Sequence, residues 1–253
     1  MTTDLTLVVT AHDETAVCGP TMRSADLAVA AARRAGRRVQ TVVALAAPTE
    51  ATRRYFAQPR FDHWERRDLD ERDPSAVRNA VVRESDGRFT AFLAADGLIS
   101  ENWLVEGAAA LLEAADRGVR AIAHPELTVA FDAARSVLVS VPQDSPVFTA
   151  HHLYAGHCYG GTCLAPREAH LAAPYAGTDP GGGSVDPDLR FTIETLDAGW
   201  QHIVVRDTIG FERRRDESPA APRPARAPLV AALPGMAIDR VRRLGDARDG
   251  RRR

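Results

Sequence analysis

The chain has 253 residues, of which 45% are hydrophobic and 26% charged, enough for one large α/β domain or two small ones of soluble globular type. A formal net charge of −2 excludes a general electrostatic attraction to nucleic acid or to an anionic membrane. Every Lys/Arg position is arginine, a pattern expected from codon bias in a GC-rich genome. The three cysteines, Cys18, Cys158 and Cys163, are too few for a disulfide framework in a chain of this length. His157 beside Cys158 raises a metal site as an alternative, but no second Cys/His pair stands at zinc spacing, which favours ordinary buried thiols. The N-terminus has no basic region and only a short apolar run, so neither a signal peptide nor a membrane span is expected and the default location is the cytoplasm.

In chain order, residues 5–10 read as a buried strand that ends in Ala11-His12-Asp13-Glu14. Residues 20–35 carry an alanine-rich helical pattern stopped by Gly36; 39–45 form a second buried strand, broken by Pro48 before a short helix at 50–56. Strand, helix, strand in this order predicts a parallel sheet with right-handed crossovers. The charged stretch 62–71 reads as a solvated connector. Asp73 or Ser75 can cap a helix running to about Ser85. On it, Arg78 is a candidate phosphate or base contact, because a guanidinium grips phosphate oxygens in bidentate fashion; a surface ion pair is the equal alternative.

Residues 89–93 form a third strand, ending at Ala94-Ala95-Asp96-Gly97, with Ser100 placed to cap a helix over 102–116. A strand that ends in an acidic turn and feeds a helix puts that turn at the carboxyl edge of the sheet, where open α/β sheets bind ligands. A strand at 119–123 leads into His124-Pro125-Glu126, and 127–131 with 136–141 read as a hairpin or two sheet-edge strands. Beyond Pro142 histidine, glycine and proline rise. His151 and His152, adjacent on an extended chain, would face opposite ways, which favours structural or acceptor-lining roles over metal binding. Gly181-Gly182-Gly183-Ser184 reads as a flexible loop, and 192–198 as a helix ended by Gly199. Asp186 stands before Pro187, a good first helical residue, and so reads as a helix cap. Residues 217–253 read as a flexible tail, with one short helix near 237–244.

These segments resemble, in order and spacing over roughly residues 5–215, a divergent bacterial member of the family 2 glycosyltransferases of the GT-A fold. Thr10-Ala11-His12-Asp13-Glu14 resembles the family's VVTAHNE, residues 44–56 its VLDRPDEATRAYF, and 73–80 its DLGLARNAG. Residues 92–104 resemble FLDADDLxSxNWL, 124–126 HPE, 165–167 APR, and 194–215 the stretch that closes in TVHFxRR.

The resemblance implies an α/β GT-A fold: a Rossmann-like, mainly parallel central sheet flanked by helices, with a mixed acceptor-side extension. Residues 1–125 would be the nucleotide-sugar-binding half and 126–216 the acceptor-binding half of the same domain. Ala11, His12, Glu14, Ala46, Arg78, Ala95 and Asp96 fall on the donor site. Asp186 falls on the catalytic aspartate, which takes the acceptor hydroxyl's proton as that oxygen inverts the anomeric carbon.

Three family positions are substituted. Ala46 replaces the base-binding aspartate, Ala94 the first acid of the cation-binding triplet (a degenerate DXD motif), and Gly210 the cation-binding histidine. Asp96 is then the one remaining metal ligand of the family set. The expected activity is hexosyl-type transfer from a nucleotide-diphosphate sugar to a sugar, lipid-linked or small-molecule acceptor. It would be metal-independent or weakly metal-dependent, with Mn²⁺ or Mg²⁺ entering only with nucleotide. Arg78, Arg190 or Arg213 would neutralise the leaving diphosphate. The alternative is a catalytically degenerate homologue acting as a binding or partner protein. A nicotinamide-dependent oxidoreductase is disfavoured, because no GxGxxG follows the first strand.

Overall fold

Strand β1 (Thr3–Ala11) lies inside the sheet, and its alternate residues feed two different layers. Leu5, Leu7 and Val9 face one core cluster, and Val8 faces another. The computed structural model describes residues 3–177, 186–215 and 233–245. Beside β1 run β2 (Val39–Ala46) and, beyond it, β3 (Glu65–Leu69), all parallel. On the other side β4 (Gly87–Ala94) pairs with β1 in parallel register, Leu5 opposite Phe89 and Thr10 opposite Ala94. The expected parallel core of 5–10, 39–45 and 89–93 is therefore one sheet.

The helices between these strands cover both faces. α1 (Cys18–Arg34) buries Met22, Ala25, Ala28 and Ala32 on one face, joined there by Trp103, Leu104 and Leu111 of α4 (Trp103–Asp116). α2 (Glu50–Phe56) is capped by Thr49, and α3 (Pro74–Glu84) by Asp73, whose carboxylate accepts the Ser75 amide at 2.9 Å. Val77, Val81 and Val82 of α3 close the opposite face.

The second half returns over the same sheet. The short β5 (Leu98–Ile99) lies at its far edge; β6 (Ala121–Asp132) and β7 (Ser136–Val139) form the expected hairpin. β8 (Leu164–Pro166) enters antiparallel between β4 and β6. After α5 (Arg167–Ala172) and α6 (Pro187–Asp197), β9 (Gln201–Arg214) runs parallel to β6 and antiparallel to β5. The described residues thus form one nine-stranded mixed sheet flanked by helices.

Several local expectations are corrected. The charged stretch 62–71 holds β3, an edge strand; its charges keep that edge solvated, the usual protection of an unpaired border. Ser100 does not cap α4: Asn102 takes that place, and the Ser100 hydroxyl accepts the Ile209 amide at 3.1 Å, tying the turn to β9. His151 and His152 sit on a 3-10 helix, Ala150–Tyr154, rather than on extended chain. No helix among the described residues is long and apolar enough to cross a membrane.

Part of the expected tail is ordered packing. Leu233, Met236, Val241 and Leu244 are buried with Leu153, Tyr159, Ile193 and Leu196, and two 3-10 turns, Pro234–Met236 and Val241–Arg243, replace the single helix expected there. Tyr154 Oη and Gln143 Nε2 donate to the carbonyls of Met236 and Gly245. The Gly181–Ser184 loop and the remaining tail residues lie outside the described residues. Met236 is fully buried, so Met236→Ala should cost about 2–5 kcal/mol in a urea unfolding titration. An unchanged midpoint would contradict the packing of 233–245.

Candidate functional site

The carboxyl ends of β1, β2 and β4 meet at one edge of the sheet. The Ala95 amide donates to Thr10 O at 2.9 Å, carrying the β1–β4 pairing one residue into the turn, and the Gly97 amide closes that turn on Ala94 O at 2.9 Å. Thr21 of α1 donates to Ala95 O at 2.9 Å, so Ala95 faces the core and is fixed through its backbone. Ala11 is likewise buried in that core.

Glu14 Oε2 accepts the amides of His12 and Asp13 at 2.7 and 3.1 Å. The His12 ring lies 2.5 Å from Ala46 O through Nδ1, and His12 O accepts the Thr52 hydroxyl at 2.9 Å. Ala46 therefore contributes its carbonyl, while its side chain is buried in the core. His12, expected on the donor site with Asp96, is committed to the end of β2 and does not line the cavity that Asp96 shares with Asp186.

At the end of β9, Arg215 closes this edge. Its guanidinium reaches Asp96 Oδ2 through Nη2 at 2.8 Å and Nε at 3.1 Å, and Glu14 Oε1 through Nη2 at 3.0 Å. Burial pushes the Glu14 carboxyl up, but the His12 amide and Arg215 outweigh it and hold the group below its ordinary value. Asp96 and Glu14 in turn push Arg215 further up.

Asp96 also lines a cavity of about 270 Å³, whose walls include Arg78, Ala94, His157, Asp186, Asp188 and Glu212. Gly160 and Gly161 form one wall. A Cβ at Gly160 would lie 2.2 Å from Thr128 Oγ1, so only glycine lets this loop approach β6. Arg78 is paired with Asp188 at 2.5 Å and stacks 4.9 Å over the Tyr175 ring. Asn79 brackets Tyr175 with bonds of 2.7 Å to its carbonyl and 2.9 Å from its amide. His170 packs behind, held neutral at about 4 by burial and, more weakly, by Arg78. Arg78 is thus neither a surface pair nor an uncommitted phosphate ligand: it is braced on both sides.

Asp186 caps α6. Its Oδ1 accepts the amides of Asp188 at 2.9 Å and Leu189 at 3.2 Å and lies 3.3 Å from His157 Nε2; Oδ2 accepts no hydrogen bond from the described residues. Burial would raise its pKa, yet His157 and the two amides hold it at about 2. For His157, burial would lower the pKa, but Asp186, with Asp188 and Glu212 behind it, raises it above the ordinary value. Cap and ion pair coexist on one carboxylate.

The residues present do not suit a preformed divalent-cation site. Both edge carboxylates, Asp96 and Glu14, are taken by Arg215. A Cβ at Gly210 would meet Thr162 Oγ1 at 3.3 Å and Pro125 Cγ at 3.5 Å, so that position points into packing. Among the described residues no group of three or more His, Cys, Asp and Glu is placed to hold a metal ion, and Cys158 and Cys163 are buried free thiols. Sequence reasoning missed three members of this site. Asp188 stands two residues from Asp186, His157 draws notice in the sequence only beside Cys158, and Arg215 is the last residue of the closing motif. Asp186→Asn keeps the cap but removes the charge. The His157 imidazole pKa, followed by NMR, should then fall; an unchanged value would mean that the pair does not set it.

No family model and no curated protein sequence matches the chain. Solved structures do. The chain is similar to Staphylococcus aureus TarS 1–349 in complex with UDP-GlcNAc (TM-score 0.63, 12% identity, 85% of this chain and 60% of that one). It is similar to the mannosyltransferase PcManGT from Pyrobaculum calidifontis in complex with GDP-Man and Mn²⁺ (TM-score 0.56, 16% identity, 86% and 59%). It is also similar to GalNAc-T7 with UDP, GalNAc and Mn²⁺ (TM-score 0.56, 12% identity, 85% and 44%). The chain spans less than two thirds of each. All three are GT-A glycosyltransferases. At such identities the likeness speaks to architecture, and the architecture is plain: the chain has the GT-A glycosyltransferase fold.

Proposed function

We propose that the cleft binds a nucleotide-diphosphate sugar at the ends of β1, β2 and β4 and transfers the sugar, with inversion, to an acceptor hydroxyl held beside Asp186. The observation that carries this reading is the convergence of Asp96 and Asp186 on one cavity at the carboxyl edge of the sheet. The fold supports it, since neighbours of the same fold are solved with UDP-GlcNAc or GDP-Man. The acceptor oxygen forms its bond to the anomeric carbon on the face opposite the diphosphate. The bond from that carbon to the β-phosphate oxygen breaks, and its electron pair stays on the phosphate. The acceptor's proton passes to Asp186, whose Oδ2 is the oxygen left open by the cap and by His157.

A carboxylate held at about 2 is a weak proton acceptor while His157 is charged. The His157 pair is complete at acid pH and is lost as pH rises through its raised pKa, which frees Asp186 to become more basic. Turnover should therefore climb as pH rises through that pKa, and in His157→Gln that climb should disappear.

The same depressed basicity, with Ala94 and Gly210 at family ligand positions, favours one second reading: a degenerate homologue that binds without transferring. Nucleoside diphosphate release from a panel of UDP- and GDP-sugars separates the two. Asp186→Asn should lose about 10²–10⁴-fold in turnover and keep nucleotide affinity. Unchanged turnover would remove Asp186 from the reaction, and binding without release by the unaltered protein would establish the second reading.

A further inference from the structure

Among the arginines in and around the cleft, one differs in what it holds. Arg78 is matched to Asp188, Arg213 to Asp132 at 2.7 Å, Arg214 to Glu212 at 3.0 Å, and Arg190 to Glu194 at 2.7 Å, each with a single carboxylate among the described residues. Arg215 bridges two carboxylates that belong to different strands, Glu14 after β1 and Asp96 after β4. Those side chains are 15% and 14% exposed, whereas Arg215 is 57% exposed and anchored only as the residue following β9.

We infer that Arg215 is the built-in cation of the donor site: it occupies the place between Glu14 and Asp96 that a divalent ion would need, and it turns its guanidinium onto the diphosphate of the donor. The inference rests on the nucleotide-sugar reading proposed above. A divalent ion at a phosphate site takes one or two carboxylates plus the phosphate oxygens, and here the two edge carboxylates already carry a positive partner. A guanidinium fork binds phosphate in the geometry with which it binds carboxylate, so exchange between them needs a side-chain reorientation and no change of fold. The exposed end of Arg215 allows that reorientation; the enclosed carboxylates stay where their strands place them. A diphosphate arriving at this edge brings negative charge toward two carboxylates, and without a cation there it would be repelled.

Titration calorimetry with UDP, GDP and Mn²⁺ tests this on the unaltered protein, Arg215→Ala and Arg215→Lys. The unaltered protein should bind UDP or GDP in EDTA about as tightly as with Mn²⁺, and Mn²⁺ alone should not bind. Arg215→Ala should lose roughly tenfold or more of the metal-free affinity. It should also acquire binding of Mn²⁺ alone, at the vacated carboxylates, and recover nucleotide affinity when Mn²⁺ is added. Arg215→Lys should fall between the two, and Arg215→Ala with Asp96→Asn should lose the acquired Mn²⁺ binding. Unchanged metal-free affinity in Arg215→Ala, or a tenfold gain with Mn²⁺ in the unaltered protein, would overturn the inference. If the unaltered protein binds neither nucleotide under any condition, the donor-site reading fails. The titration with Mn²⁺ alone then judges Arg215 separately, and an Arg215→Ala protein that gains no Mn²⁺ affinity overturns its role as the resident cation.

Discussion

Glu14 and Asp96 are fixed at the carboxyl ends of adjacent parallel strands, and two carboxylates in that position repel unless a cation lies between them. The cation is Arg215, which follows β9, the last strand of the sheet. β9 must therefore return to the edge that β1 and β4 began, and its pairing with β6 and β5 brings it there. The same return leaves Glu212 and Arg214 on the wall of the cleft. Ion pairs as exposed as this one are worth no more than about 1 kcal/mol, so the bridge places groups rather than holding the fold. Stability comes from the three apolar clusters.

Two aspartates, two residues apart, do different work. Asp188 is paired with Arg78, and both are largely enclosed beside Tyr175 and Phe92. Removing one partner would strand the other's charge, a loss of about 3–5 kcal/mol in enclosed pairs, which marks this pair as structural. Asp186 is more open, keeps one oxygen without a hydrogen bond from the described residues, and is paired with a histidine whose pKa it raises above the ordinary value. The N-cap of α6 sets the position of both: the amides of Asp188 and Leu189 orient Asp186, and the first turn of the helix then directs Asp188 at Arg78.

Much of this was legible in the chain. The apolar runs at 5–10, 39–45 and 89–93 read as buried strands and are, and Asp186, read as a cap, does cap a helix, although that helix begins at Pro187 and not at 192 as the sequence suggested. β3 was not legible, because an edge strand needs no apolar run, and Glu65-Arg66-Arg67-Asp68 reads as a loop until its neighbour is known. The packing of 233–245 was hidden by the proline- and arginine-rich stretch before it, although Leu233, Met236, Val241 and Leu244 are the apolar positions that the body buries. At the site, positions conveyed by strand ends were readable. Partners that arrive from far along the chain, Arg215 to Asp96 and Arg78 to Asp188, were not, since only tertiary structure joins them.

On the inference above, this edge of the sheet receives a diphosphate through the protein's own guanidinium. A crystal structure grown with UDP or GDP in the presence of EDTA tests it most directly. The diphosphate should lie beside Asp96, with Arg215 within hydrogen-bonding distance of its phosphate oxygens and the sugar-side end directed toward Asp186. A nucleotide bound elsewhere, or a diphosphate in this cleft with Arg215 still closed on Glu14 and Asp96, would contradict it.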